Sequence, residues 1–225
     1  MIKNPKNLIP QFFDDTASTY DAIVKWATFG KDIYWKKEII AELPNADSFL
    51  DLACGTGILT RQIADKFPKS SIVGVDISQK YLDTAKNNSK SYENISYILQ
   101  DAEQLDIGQK FDCITSSYIP KYCNPEILTD KIQNFLKQHG KVILHDFIYP
   151  DNTIVRKSWD LYFHLLNFLG LFIPSWKIAF DKLPQLIRQS DWLSSYDTSL
   201  QRRGFKTKKR LLTLNSSAIL IGFLS

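Results

Sequence analysis

The sequence lacks the long apolar runs and the leader that mark membrane and exported proteins. No run of about 18 apolar residues occurs, so no transmembrane helix is expected. The N-terminus has an early proline and nearby acids where a signal peptide would have an apolar segment. These absences predict a cytoplasmic location.

Cysteine and histidine are scarce, with three of each in 225 residues. The cysteines are odd in number and have no paired spacing, which predicts the absence of a disulfide framework and fits a reducing compartment. The histidines do not stand at ligand spacing with the cysteines, so no metal site is predicted.

Charge is also nearly balanced, with a net charge of +4. The one basic cluster, "RRGFKTKKR" at residues 202–210, lacks the extended basic face and interleaved aromatics of a nucleic-acid platform. No nucleic-acid partner is therefore predicted. A solvated helix end and strand edge is the favoured interpretation of this cluster, and weak docking to an anionic membrane is the alternative.

What the sequence does contain is a regular alternation of strand and helix patterns over residues 46–150. Apolar strand patterns occur at residues 48–53, 70–76, 95–100, 111–117 and 141–147. Helical patterns separate most of them, with Ser78 as an N-cap and Gly140 as the C-cap of the helix that begins at Pro125. Strands separated by helices predict a parallel sheet with right-handed crossovers and helices on both faces.

The last third of the chain has a different pattern. Residues 158–180 are rich in aromatics and leucine and are interrupted by Gly170 and Pro174. A helix that is broken near Ser190 follows, and two strands joined by the turn "NSS" close the chain. An antiparallel hairpin at the end of a parallel sheet is an unusual feature.

Three features at successive strand ends predict a nucleoside site. "CGTG" (54–57) forms a glycine turn between the first strand and its helix, but the third glycine of a dinucleotide fingerprint is Thr60. Asp76 ends the second strand, where a carboxylate can accept hydrogen bonds from ribose hydroxyls. Asp101 follows the third strand and could accept one from an adenine amino group. Open α/β sheets bind ligands along this edge.

The segments "DLACGTGILT", "VGVDIS", "DAE" and "FDCIT" resemble class I S-adenosylmethionine-dependent methyltransferases. "FFDDTASTYD", "ATFGKDIYWKK" and "LIRQSDWLSSYDTSLQRRGF" extend the resemblance to the ubiquinone/menaquinone C-methyltransferase (UbiE/MenG) type. It implies a Rossmann-like α/β fold with a seven-stranded, mostly parallel sheet and an antiparallel last strand. We divide the single predicted domain into a helical cap (1–45), a cofactor-binding core (46–150), a lid insertion (151–182) and a last helix with the hairpin (183–225).

The resemblance implies S-adenosylmethionine as cofactor and assigns the methionine end to the glycine turn. Asp76 would hold the ribose. The residues that would line the methionine moiety are Asp51, Ala53, Gly55, Thr56 and Gly57. Because this cofactor has no phosphate, a third glycine is not needed.

The resemblance also assigns the nucleoside. Ile77 would pack on the adenine, and Asp101 and Ala102 would meet its edge. Ser116 would lie beneath the cofactor after the fourth strand. Tyr20, in the "YD" pair of the N-terminal region, would close over the cofactor, although a buried aromatic is an equally good interpretation.

The substrate side departs from the resemblance. Counting back from the fifth strand, Pro120 and Lys121 replace the Arg and Asn of the relatives' loop, and His145 and Asp146 replace a glutamate. One of the latter pair is expected to face the crevice, so both are catalytic candidates. His145 could act as a general base, although a hydrogen-bonded structural histidine is the slightly favoured interpretation. Tyr118 is a further catalytic candidate that could line the acceptor pocket, and packing within its loop is an equally good interpretation. Lys121 could pair with an anionic acceptor, but a solvated lysine is the favoured interpretation.

The aromatic segment is the main indication of the substrate. The favoured interpretation is a helical cap whose apolar face packs on the sheet. The alternative, which is compatible with it, is a lid over a small lipophilic or aromatic acceptor, completed by residues such as Phe12, Phe13, Tyr34 and Trp35. The resemblance adds a quinone or a related precursor as a candidate acceptor. Two alternatives stay open: a nicotinamide-dependent oxidoreductase, and a protein that binds S-adenosylmethionine without methyl transfer. The sequence does not indicate the oligomeric state.

Overall fold

The computed structural model describes residues 5–13 and 16–224, so the predicted cap at residues 1–45 is described in part. The strands are β1 (Ser48–Leu52), β2 (Ser71–Asp76), β3 (Ile95–Leu99), β4 (Phe111–Ser117), β5 (Leu136–Phe147), β6 (Phe205–Leu212) and β7 (Ser217–Leu224). The helices are α1 (Ile9–Phe13), α2 (Tyr20–Ala27), α3 (Lys31–Glu42), α4 (Ile58–Lys66), α5 (Gln79–Asn88), α6 (Pro125–Phe135), α7 (Thr153–Leu169), α8 (Pro174–Gln189) and α9 (Trp192–Arg202).

The strands form one seven-stranded sheet in the order β3-β2-β1-β4-β5-β7-β6. The first five strands are parallel, and β7 pairs antiparallel with both β5 and β6. This topology confirms the predicted fold. The chain runs from β1 to β2 and β3 on one side of the sheet and then crosses to β4, which lies on the other side of β1. The strand order therefore switches direction between β1 and β4, and the carboxyl edge at such a point is where open α/β sheets bind ligands.

Two apolar layers cover the sheet. Helices α3 and α4 pack on one face through Trp35, Ile39 and Ile63, and α6 and α9 pack on the other through residues such as Leu128 and Tyr196. A third cluster joins α1, α7 and α8 above the carboxyl edge of the sheet. The core therefore holds the strand ends rigidly beneath a helical cover.

Helix ends follow the predicted chemistry with one correction. Ser78 takes the N-cap position of α5, although its side chain makes no capping hydrogen bond. Gly140 was predicted to cap α6, but α6 ends at Phe135, and residue 140 lies inside β5. The side chain of Leu136 occupies the space beside Gly140, where an added Cβ would approach its Cγ to 2.5 Å. Glycine is therefore required there by close packing within the strand.

The predicted boundary between lid and closing segment falls inside a helix. Helix α8 runs continuously across residues 182 and 183, and it packs against α7 and α1. The division of the chain into four parts stays a prediction. Within the described ranges, no helix has the length and apolar character needed to cross a membrane.

The basic cluster at residues 202–210 is largely neutralised by pairs within the fold. Of its six cations, four form ion pairs: Arg202 and Arg203 with Glu126, Lys209 with Asp197, and Arg210 with Glu38 and Glu42. Pairing of this kind supports the interpretation as an ordinary strand edge and helix end.

Candidate functional site

The glycine turn after β1 is held in a conformation that few residues adopt. Ala53, Gly55 and Gly57 have φ angles of 52°, 57° and 78°. Ala53 is the exception among them, because a left-handed conformation is unfavourable for a residue with a Cβ. The amide of Cys54 donates to Val75 O at 3.0 Å and ties the turn to β2.

Two glycines make room for one tyrosine ring beneath the turn. A Cβ on Gly57 would lie 2.5 Å from Tyr97 Oη, and one on Gly74 would lie 2.7 Å from the Tyr97 ring. Tyr97 Oη in turn hydrogen-bonds Ser89 Oγ at 2.8 Å. Gly57 therefore supports the turn by close packing, and it is not part of the lining of the two cavities described below.

Asp76 links the turn to the end of β2. Its Oδ2 accepts from the amide of Gly55 at 2.8 Å, and its Oδ1 accepts from the amide of Ser78 at 2.9 Å. Burial raises the pKa of Asp76, and these backbone hydrogen bonds partly oppose that shift. The carboxylate keeps spare acceptor capacity and Asp76 lines a cavity, so Asp76 can accept a hydrogen bond from a ligand hydroxyl.

We call the cavity that Asp76 lines the rim cavity, and it extends along the ends of β2 and β3. Ile77, Asp101 and Ala102 also line it. Lys6 from the N-terminal segment lies 2.7 Å from Asp101 Oδ1 and also pairs with Glu103. The N-terminal segment thus reaches the site where an adenine edge was predicted, and no feature of the sequence indicated this contact.

A second cavity, the turn cavity, adjoins the first and lies between Asp51, Thr56 and Lys36. Asp51 is 1% exposed and accepts from Thr60 Oγ1 at 2.7 Å and Thr115 Oγ1 at 3.0 Å. Burial raises the pKa of Asp51 to about 6, although both hydrogen bonds oppose the shift.

The structure brings together most of the residues that the sequence assigned to a cofactor. Nine of them line the rim cavity or the turn cavity: Tyr20, Asp51, Ala53, Gly55, Thr56, Asp76, Ile77, Asp101 and Ala102. Ser116 does not, because it is fully buried and donates to Leu52 O at 2.8 Å. Its neighbour Ser117 lines both cavities. Because alternate residues of a strand point to opposite faces, a shift of one position decides which serine is accessible.

A third and much less polar cavity, the apolar cavity, lies under the cap and has a volume of about 360 Å³. That volume is within the range of small-molecule sites. Trp159, Phe163 and Trp176 line it, together with Phe12 and Trp35 from the N-terminal region. The predicted lid residues Phe168 and Phe172 do not, since they are 61% and 72% exposed, and Tyr34 also lies outside the lining.

Two tyrosines stand where all three cavities meet. Tyr20 packs edge-on against Tyr81, with ring centroids 5.2 Å apart, and stacks on Trp176 at 6.0 Å. Tyr118 follows β4 with a φ of 76° and donates from Oη to Asp32 at 2.7 Å. Burial and the nearby charge of Asp32 raise the pKa of Tyr118 well above its usual value, so its phenol stays protonated.

His145 does not reach any of these cavities. It is fully buried, with Nδ1 3.0 Å from Ser117 Oγ and Nε2 2.7 Å from Ser217 Oγ. Burial lowers the pKa of His145 well below its usual value, and the charges of Lys36 and Lys121 add to the effect. Both ring nitrogens are hydrogen-bonded to serine hydroxyls and neither faces any of these cavities, which argues against a role as general base.

Asp146 is also fully buried, and it forms an ion pair with Lys121. Lys121 Nζ lies 2.8 Å from Asp146 Oδ1 and donates to Tyr118 O at 2.7 Å. Burial raises the pKa of Asp146, although the ammonium of Lys121 opposes the shift. The favoured interpretation of Lys121 as a solvated lysine is wrong, because its side chain is 2% exposed and lines the apolar cavity.

Sequence reasoning missed the buried pair of Asp32 and Lys36 on α3. The two side chains form an ion pair and are 5% and 6% exposed. Lys36 lines the turn cavity, and Asp32 holds the Tyr118 hydroxyl. Opposite charges four residues apart usually mark a solvated helix face, so the spacing alone gave no signal of burial.

Metal chemistry has no candidate centre in the described residues, since none of their His, Cys, Asp and Glu side chains form a group of three that could hold an ion.

Comparison with known proteins identifies the family. The family model described as "ubiE/COQ5 methyltransferase family" matches residues 1–219. The chain belongs to the ubiE/COQ5 methyltransferase family. It is thus similar to a ubiquinone/menaquinone biosynthesis C-methyltransferase UbiE from Blochmanniella pennsylvanica, with 30% identity over 88% of this chain and 82% of that protein. A demethylmenaquinone methyltransferase from Lactobacillus johnsonii is 29% identical over 98% of this chain and 94% of its own length.

Solved structures agree on the fold. The plantazolicin methyltransferase BpumL, in complex with a monoazolic desmethylPZN analog and SAH, superposes with a TM-score of 0.66 at 14% identity. The match covers 98% of this chain and 95% of that one.

Family membership makes this methyltransferase an enzyme that uses S-adenosylmethionine. The site fits that cofactor for two reasons. The buried carboxylate of Asp76 lines the rim cavity and can accept a hydrogen bond from a ligand, and the backbone of the glycine turn lines the adjoining turn cavity. Family membership favours methyl transfer over both alternatives, the nicotinamide-dependent oxidoreductase and binding without transfer.

Proposed function

We propose that this methyltransferase methylates a quinone precursor with a lipophilic side chain, in its reduced, quinol form. The supporting observation is the apolar cavity, which is lined by aromatic side chains and meets the rim and turn cavities at Tyr20 and Tyr118. The names of the relatives point to the same acceptor class.

We assign the cofactor as follows. Asp76 would hold the ribose, Asp101 and Ala102 the adenine edge, and Ile77 the adenine face. The methionine end would lie in the turn cavity on the backbone of Gly55 and its neighbours. Lys36 offers a positive charge there to the methionine carboxylate.

When bound, the cofactor supplies a methyl group that its sulfonium has already activated. The protein then has to exclude water and align the acceptor, and such positioning can contribute on the order of 7–11 kcal/mol. Tyr20 and Tyr118 stand at the junction where an acceptor ring would meet the methyl group. We propose Tyr118 as the positioning residue, and we assign neither His145 nor Asp146 a chemical role.

A quinol would attack through a ring carbon next to a phenolic oxygen, after the phenol has lost its proton to solvent. The ring carbon would form a bond to the methyl carbon while the bond from that carbon to sulfur breaks, and S-adenosylhomocysteine would leave. Loss of the ring proton to solvent would then restore the aromatic system. Lys121 uses two of its three ammonium hydrogens on Tyr118 O and Asp146. We propose that the third donates to the phenolate oxygen and stabilises it.

The test is turnover with S-adenosylmethionine and reduced demethylmenaquinone, followed by release of S-adenosylhomocysteine and by mass spectrometry of the product. We expect a product that is heavier by one methylene. Trp159→Ala should raise KM for this acceptor, whereas Ile127→Ala, an exposed site on α6, should not. If the protein bound S-adenosylhomocysteine but methylated neither naphthoquinols nor benzoquinols, the proposed acceptor would be wrong.

A further inference from the structure

Helix α7 is apolar on two opposite faces. Its inner face, which includes Trp159 and Phe163, lines the apolar cavity. Its outer face and the following turn expose a contiguous set of large side chains, which we call the outer stripe: Ile154, Leu161, Leu165, Phe168, Leu171 and Phe172. Each of these is between 55% and 77% exposed, whereas soluble proteins usually expose such residues singly. An apolar face of this size indicates a contact surface.

The charges around the outer stripe select one kind of partner. Between residues 154 and 168, all of which the structure describes, the exposed face carries Lys157 and His164 and no acid, and one exposed acid, Asp151, precedes the helix. The one acid of this segment, Asp160, is partly buried and paired with Arg188 at 2.8 Å. Lys177 is exposed on the adjoining helix α8. Exposed leucine and phenylalanine flanked by lysine are typical of helices that lie in the surface of an anionic membrane.

The mouth of the apolar cavity lies beside α7, the helix that carries most of the outer stripe. Phe29 and Leu214 both line that cavity and are 81% and 76% exposed, so the cavity reaches the surface between them. The Phe29 ring lies 5.7 Å from the ring of Tyr162 on α7. A second protein molecule over this rim would close the mouth, whereas a bilayer would open it to lipid-soluble molecules.

We propose that the outer stripe seats this methyltransferase on a bilayer that contains anionic lipid, and that the apolar cavity receives its acceptor from that bilayer. The second half of this inference rests on the proposed lipophilic acceptor. The surface differs from the basic cluster at residues 202–210, whose charges are mostly paired within the fold.

The test is co-sedimentation of the full chain with phosphatidylcholine vesicles that contain or lack phosphatidylglycerol. The double variant Phe168→Ser/Phe172→Ser should bind anionic vesicles roughly tenfold or more weakly, because two exposed rings no longer enter the interface. Lys157→Gln and Lys177→Gln should each weaken binding about fivefold, and only to anionic vesicles. Two controls should bind like the parent protein: Ile127→Ser, an apolar site on α6 that is 47% exposed, and Lys206→Gln/Lys208→Gln in the basic cluster.

Turnover separates this inference from the proposed function. Phe168 and Phe172 do not line the apolar cavity, so the double variant should keep the parent's rate on a short-chain, water-soluble quinol and lose at least about fivefold on a vesicle-borne one. Vesicle binding without any quinol methylation would keep the docking surface and refute the acceptor. A parent protein that failed to bind vesicles, or a double variant that bound them equally well, would overturn the docking surface. If the parent protein formed dimers and bound no vesicles, and the double variant formed no dimers, the outer stripe would be a contact between two copies of the chain. That result would also overturn the docking surface.

Discussion

Replacing Asp76 with alanine should weaken binding of S-adenosylhomocysteine by about 10- to 150-fold. The carboxylate is 8% exposed, so water cannot replace the hydrogen bonds that ribose hydroxyls would lose. Hydrogen bonds to a charged group contribute about 1.5–3 kcal/mol, and each 1.4 kcal/mol corresponds to about tenfold in Kd. Titration calorimetry measures the change directly. Asp83→Ala, an exposed acid on α5, is the matched control and should bind like the parent protein.

A second ligand tests whether the loss comes from the ribose. Asp76 also holds the amides of Gly55 and Ser78, so its removal could shift the glycine turn. An analogue that lacks the ribose hydroxyls should therefore bind the parent protein weakly. Its affinity should fall little further in the Asp76→Ala variant, since the hydrogen bonds between Asp76 and the ribose are already missing. If the variant bound S-adenosylhomocysteine within about threefold of the parent, or if the two losses simply added, the assignment of Asp76 to the ribose would be refuted.

Three further predictions concern the buried ionisable groups. His145→Gln should keep kcat within about fivefold and leave its pH profile unchanged, whereas loss of a general base costs about 10²–10⁴-fold. Lys121→Met should lower the free energy of unfolding in urea by about 3–5 kcal/mol, because it leaves Asp146 unpaired, and adding Asp146→Leu should recover most of that loss. Asp51→Asn should raise the free energy of unfolding near neutral pH by about 3 kcal/mol, because burial raises the pKa of Asp51 to about 6 from 3.8.

The control for Lys121→Met is an ion pair at the surface. Lys137→Met breaks the pair with Asp112 and should lower the free energy of unfolding by less than about 1 kcal/mol. The gain from Asp51→Asn should shrink as the pH falls from about 6 towards 4, since the folded parent takes up a proton before the unfolded chain does. A gain that did not change with pH would contradict the assigned cause. A pH profile that lost an inflection in His145→Gln would restore the histidine as a base.

Local patterns carried most of the fold. The alternation of short apolar strands and amphipathic helices predicted the parallel sheet, and the "NSS" turn predicted the hairpin that β6 and β7 form. The strand and helix patterns and the turn depend on residues that are close together in the chain, so they can be recognised without knowing how the chain packs. Gly140 shows where local rules fail, because a glycine near the end of a helix also suits a strand in which Leu136 packs against it.

The strand ends carried much of the proposed cofactor site, because parallel strands bring the residues that follow them to one edge. The acceptor side was different. Lys121 was interpreted as a solvated lysine, and His145 was kept as a candidate general base, from residue type alone. Each is in fact buried among partners from other elements. The Lys36 and Asp32 pair was missed for the same reason.

The amino-acid sequence by itself therefore determined the order of strands and helices and the position of the glycine turn and Asp76, because these depend on periodicity and on residues adjacent in the chain. Only the tertiary structure decided which polar groups lie in cavities and which are sealed. Lys6 meets Asp101, and Ser217 meets His145, across 95 and 72 residues. Burial and pairing at such separations depend on how whole layers pack, and no local pattern encodes them.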